Sequence, residues 1–199
     1  MDKCELCNRV GDKICSKCHS VGYCSRECQL ADWSSTHKFF CATLPFPSRE
    51  TGDQTVYGFL LQEDGVIKIV NVKIIKTKKD LYEPDLTPHL DPNGTIKPDP
   101  NKPPFGKNYL PKKPIGSKNF ETTLQISYRT KFLNDGSRAN KCIQKITGNK
   151  EHHDWRGPML LLKLKIDTTK EKIEPEVNPY IDMQMQDMTD MRTFFQWYG

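Results

Sequence analysis

The chain has 199 residues, with 36% hydrophobic and 28% charged side chains and a formal net charge of +5. That length suits one ordinary domain, or a small metal-held module followed by a domain of about 100 to 150 residues. A mean hydropathy of −0.69 describes a polar chain, and no stretch approaches the roughly 18 apolar residues of a membrane-spanning helix. The opening residues MDKCELCNRV lack the basic-then-apolar plan of a secretory signal, so an intracellular protein of the nucleus or cytoplasm is expected.

Seven of the eight cysteines fall within the first 41 residues. In a reducing compartment clustered thiols bind metal rather than form disulfides. Residues 1–44 also hold too few aliphatic side chains to bury a core, which makes metal their main organising force. The candidate ligands are Cys4, Cys7, Cys15, Cys18, Cys24, Cys28, His37 and Cys41, spaced C-x2-C-x7-C-x2-C-x5-C-x3-C-x8-H-x3-C. A C-x2-C pair reaches one ion from a tight turn, and C-x3-C or H-x3-C does so from adjacent helical turns. Eight donors make two tetrahedral sites, and one imidazole among thiolates suits zinc better than an iron-sulfur cluster or a disulfide knot. Spacing alone leaves both a sequential and an interleaved pairing open. His19, directly after Cys18, is a competing donor, though Cys15 and Cys18 already supply their pair.

Beyond the finger, residues 45–54 read as a linker and residues 55–199 as an α+β domain of about four or five strands and two helices. VYGFLL, the turn Gln62, Glu63, Asp64, Gly65, and VIKIVNVKII predict a β-hairpin. Residues 84–114 carry nine of the 14 prolines and read as a long loop with polyproline character. Residues 122–132 alternate as a strand should, through Leu124, Ile126 and Tyr128. Ala139, Cys142, Ile143 and Ile146 stand at helical spacing over 139–147, with Gly148 as a C-cap. Residues 159–166 predict a buried strand and 180–183 a short one. A final helix over 187–197 presents Met188, Met191, Phe194, Phe195 and Trp197.

Tyr23-Cys24-Ser25-Arg26-Glu27-Cys28-Gln29, then Trp33, then His37-Lys38 and Cys41 resemble the MYND-type zinc finger over about one fifth of the chain. The resemblance implies a cross-brace. Cys4, Cys7, Cys24 and Cys28 would hold one zinc, and Cys15, Cys18, His37 and Cys41 the other. It also implies a shallow groove lined by Gln29 and Trp33 that accepts short proline-containing peptides, for example of PxLxP type. Gln29 and Trp33 are four apart and share a helix face, and an indole stacks well on a preformed polyproline backbone. Simple packing of Trp33 over the zinc core is the competing reading. Pro84-Asp85-Leu86-Thr87-Pro88 fits PxLxP, so the chain carries a possible self-ligand. Segments from Cys142 onward, including Trp155-Arg156-Gly157-Pro158, are loosely similar to the C-terminal region of fungal MYND-finger proteins that carry no known activity.

Charge argues against nucleic acid. Six basic and five acidic side chains through residue 41, with seven thiolates and two zinc ions, leave the finger near −2. The basic excess sits between residues 76 and 118, nine lysines against five acids, where so many prolines suggest a solvated loop. MYND fingers also occur within SET-domain lysine methyltransferases, but residues 42–199 lack the Asn-His segment and the cysteine cluster such a fold needs. His152-His153-Asp154 has no nucleophile tied to it, and Cys142 on an apolar stripe reads as a structural thiol. The sequence thus reads as a non-enzymatic adaptor: a two-zinc finger that presents Gln29 and Trp33 to protein partners with proline-containing motifs.

Overall fold

The computed structural model describes residues 4–7, 9–19, 21–35, 37–39, 41, 47–48, 54–97, 99–110, 122–166, 175–184 and 187–198. Within the finger, β1 (Lys13–Ile14) pairs antiparallel with β2 (Gly22–Tyr23), and α1 (Arg26–Ser35) leads to a 3-10 turn at His37–Phe39. The remaining strands are β3 (Thr55–Leu61), β4 (Ile67–Lys76), β5 (Tyr82–Pro84), β6 (Phe105–Tyr109), β7 (Thr122–Arg129), β8 (Met159–Ile166) and β9 (Pro175–Ile181). Three helices accompany them: α2 (Thr87–Leu90), α3 (Lys141–Thr147) and α4 (Asp187–Trp197). The chain divides into two compact units, one of Met1–Pro45, Ile143–His153 and Gln184–Gly199, the other of Phe46–Cys142 and Asp154–Met183.

The second unit is built on a seven-stranded antiparallel sheet of order β5-β4-β3-β8-β7-β6, with β9 added to β8. The expected hairpin is present, from Leu61 opposite Ile67 to Thr55 opposite Lys73, closed by Gly65 at φ +89° where a side chain would be strained. One edge of β8 pairs with β7 throughout, Thr122 to Tyr128 against Lys165 to Met159. The other edge is divided: Met159, Leu160 and Leu161 pair with β3, while Lys163, Leu164 and Ile166 pair with β9.

This unit is mostly β, which corrects the expected α+β architecture. Of the segment read as a proline-rich loop, the first residue, Pro84, ends strand β5, and strand β6 lies within it. Pro84 ends β5 opposite Ile74, and β5 borders the sheet, where a missing N–H costs no ladder bond. Likewise β9 starts at Pro175, five residues before the expected strand. Residues 98 and 111–114 of that loop, most of the linker 45–54, and the Trp197 side chain lie outside the described residues.

A core of Val56, Leu60, Val72, Ile74, Leu90, Leu160, Leu162, Leu164 and Tyr180 covers one face, with Leu86 and Phe105 packed against it. Polar side chains are buried there too. Gln125 and Ser127 alternate with Leu124 and Ile126 along β7; the Gln125 amide donates to Ser127 Oγ at 2.8 Å, and Tyr180 OH donates to Gln125 Oε1 at 3.1 Å. At the end of β7, Arg129 donates to the Leu90 carbonyl at 2.7 Å and pairs with Asp91 at 3.2 Å.

Helix α3 begins at Lys141, two residues later than expected, because Ala139 bridges to Arg156 and Asn140 caps the helix by accepting from Cys142 N at 3.0 Å. Gly148 at φ +66° ends it, as predicted. Cys142 is buried, and its thiol lies 3.0 Å from the Val66 carbonyl, as a structural thiol should. In the first unit α4 occupies the expected span. Asp187 accepts from Gln184 N at 2.7 Å to cap it, and Met188, Met191, Phe194 and Phe195 are buried.

Candidate metal centre

Local hydrogen bonding explains how so short a segment presents eight donors. Cys15 N bonds to Val21 O at 2.9 Å and His19 N to Cys15 O at 2.9 Å, folding the C-x2-C pair into a tight turn. Ser25 caps α1 by accepting from Cys28 N at 3.2 Å, which fixes the helix that carries Cys28. Cys41 N bonds to His37 O at 2.8 Å, setting the H-x3-C pair on consecutive turns. These elements gather Cys4, Cys7, Cys24 and Cys28 into one cluster and Cys15, Cys18, His37 and Cys41 into another, with the donor atoms of each within 4.8 Å of one another. The pairs therefore interleave, resolving the alternative that spacing left open.

The donor sets fit zinc. With Zn–S near 2.3 Å, a tetrahedron has S···S edges of about 3.8 Å. The sulfurs of Cys7 and Cys24 lie 3.4 Å apart, Cys24 and Cys28 3.6 Å, Cys28 and Cys7 4.0 Å, and Cys15 and Cys41 3.6 Å. Cys18 Sγ lies 3.6 Å from His37 Nε2. The electrostatics agree. Burial disfavours the Cys4 thiolate, but backbone N–H groups, led by that of Cys24, outweigh it and bring its pKa down to about 6. Cys24, sharing hydrogens with Cys7 and Cys4, is pushed up to about 12. Burial and the neighbouring Cys15 also push Cys41 up to about 12. Thiols packed this closely cannot all ionise without a cation, and a divalent ion supplies the missing charge.

Residues 4–41 match the family model of the MYND finger. This segment is a MYND zinc finger. Curated relatives share it. Ubiquitin carboxyl-terminal hydrolase 19 of Arabidopsis thaliana is 49% identical over 39 residues, which is 20% of this chain and 6% of that protein. Programmed cell death protein 2 of Bos taurus is 49% identical over 39 residues, 20% of this chain and 11% of the relative. Zinc finger MYND domain-containing protein 10 homolog of Drosophila melanogaster is 47% identical over 38 residues, 19% and 8%. The similarity thus spans a small part of each of these relatives. No solved structure matches the chain. The MYND finger provides two zinc sites and is in general a protein-interaction module.

His19 lies outside both clusters, its backbone turned to φ +53° at the end of the Cys15 to Cys18 turn. Trp33 is 38% exposed and Leu30 56%, with Gln29 half-buried on the same helix. The Trp33 ring lies 5.7 Å from that of His37, so the indole both packs on the zinc module and reaches solvent. Asp32 and Tyr23 escaped the sequence reading as site residues. Asp32 is buried, accepts from Tyr23 OH at 2.6 Å and lies 3.9 Å from His37 Nδ1. Its position one turn after Cys28 was the available signal, since residues four apart on a helix share a face.

The self-ligand expectation is overturned. Pro84 ends a paired strand, Asp85 N bonds to Lys73 O at 2.8 Å, Leu86 is helical at φ −85° and packs on the sheet core, and Pro88 lies inside α2. A segment tied into the fold in this way is not an extended ligand. Elsewhere, His152 is exposed, the His153 ring lies 6.2 Å from that of Tyr198, and Asp154 accepts from Arg156 at 2.8 Å.

Proposed function

We propose that this protein is a non-enzymatic, intracellular adaptor whose zinc finger binds short proline-containing peptides of partner proteins. The observation that carries the reading is Trp33: a large apolar ring, 38% exposed, on the rim of a module with almost no aliphatic core. Folding normally hides an indole, and one left open beside Gln29 and the exposed Leu30 offers a stacking surface next to an amide. Polyproline segments suit such a surface because their backbone is already extended and loses little entropy on binding. Seven zinc-binding thiols are stable only where the compartment is reducing, which supports an intracellular location.

The test is titration of the zinc-loaded full chain with a PxLxP peptide, followed by calorimetry. Trp33→Ala is expected to weaken binding about 10-fold or more, on the scale of a stacked aromatic anchor, with both zinc ions retained. Equal affinity in the wild type and in this variant would overturn the reading.

A further inference from the structure

The buried triad of Tyr23, Asp32 and His37 has no role in the peptide reading. His37 turns two opposite ring edges to different neighbours. Nε2 lies 3.6 Å from Cys18 Sγ, among the thiols of the second site, while Nδ1 lies 3.9 Å from Asp32 Oδ2. The second distance is too long for a hydrogen bond, but it sets the Asp32 carboxylate against the Nδ1 edge of the ring. The same Oδ2 accepts from the Tyr23 hydroxyl at 2.6 Å, and all three side chains are buried.

We propose that Asp32, held by Tyr23, is a positioning residue for the second zinc site, orienting His37 through its Nδ1 edge so that Nε2 faces the ion. A neutral imidazole has one proton, and the nitrogen that ligates must be the other one. A carboxylate facing Nδ1 stabilises the proton there and leaves the Nε2 lone pair free for metal. Metal-bound histidines commonly rely on such an acceptor, which fixes both tautomer and ring orientation.

The triad also spans the two sites. Tyr23 directly precedes Cys24, and Asp32 lies one turn after Cys28, so both are anchored by ligands of the first cluster. Through them, elements that build the first site orient a ligand of the second.

The experiment uses the full chain loaded with cadmium-113, whose four-thiolate and three-thiolate-one-imidazole sites give separate resonances. The probes are chelator-driven metal release and a long-range proton–nitrogen spectrum of the His37 ring. Asp32→Asn is expected to speed loss of the second ion about 10- to 100-fold, the usual effect of removing such a partner. The first ion should change little, and the ring nitrogen signals of His37 should shift. Asp32→Glu should recover part of the difference. Tyr23→Phe, which keeps the ring and removes only the hydroxyl, should loosen the same ion to a smaller degree and serves if Asp32→Asn does not fold. Wild-type retention of the second ion in these variants would overturn the proposal. So would equal loosening of both ions with unchanged His37 signals, or a wild-type His37 protonated at Nε2.

Discussion

The rings of Trp33 and His37 lie 5.7 Å apart at 45°, so the exposed indole leans on a buried zinc ligand. Removing that ligand should therefore damage more than the metal count. His37→Ala is expected to lose the second zinc and, because the pairs interleave, to loosen the first. Metal binding supplies on the order of 10 kcal/mol to the folding of small zinc modules. Native mass spectrometry should show one ion or none in place of two, and the Trp33 indole N–H resonance should collapse toward its random-coil position.

Arg129 anchors the loop after α2 through the Leu90 carbonyl and Asp91, whose carboxylate also accepts from Thr95 N at 2.8 Å and Ile96 N at 3.0 Å. Arg129→Ala leaves a mostly buried carboxylate without its cation. The expected cost is about 3 kcal/mol, read as a lower midpoint in urea with the zinc content unchanged.

Tyr180→Phe removes the hydroxyl that donates to Gln125 Oε1 inside the sheet core. The amide oxygen of a fully buried Gln125 then loses that donor, at a cost of about 1 to 3 kcal/mol. Gln125→Leu in the same background should recover part of it, so a double-mutant cycle is the appropriate measurement.

Burial lowers the pKa of His89 from its ordinary 6.5, against opposing effects of Asp85 and the Asn71 backbone. With a depressed folded value, the unfolded chain takes up the proton first as pH falls. The stabilising contribution is complete above about pH 6.5 and is lost as pH drops through the folded value. Because acid also releases zinc, the informative quantity is the difference in melting temperature between wild type and His89→Gln. It should narrow or change sign between pH 7 and pH 5, and a constant difference would count against the assignment.

The zinc donors were legible because their chemistry forces close, regular spacing, and a ligand pair four apart announces a helix turn by itself. The hairpin β3–β4, the strands β7 and β8 and the helix α4 were legible from local patterns, alternation in the strands and an apolar stripe in α4. What sequence missed was set by pairing and packing that local composition does not announce. Pro84 and Pro175 conceal β5 and β9, since proline reads as loop unless one knows that the strand lies at an edge or end. Gln125 and Ser127 look like the wet face of a half-buried strand, yet both are buried because the sheet is covered on both faces of β7. Asp32 belongs to no ligand pair in the sequence, and its distance to His37 is what marks it as part of the site.

The divided edge of β8 also dictates an order of events during synthesis. Its pairing with β3 joins residues about 100 positions apart, Phe59 with Leu161, and such distant closure is slow to reward its entropy cost. Until residue 166 has left the ribosome, the β3–β4 hairpin and β7 each expose an apolar strand edge with no neighbour. A nascent chain stalled before β8 is therefore the aggregation-prone species, and the one that chaperones would be expected to bind.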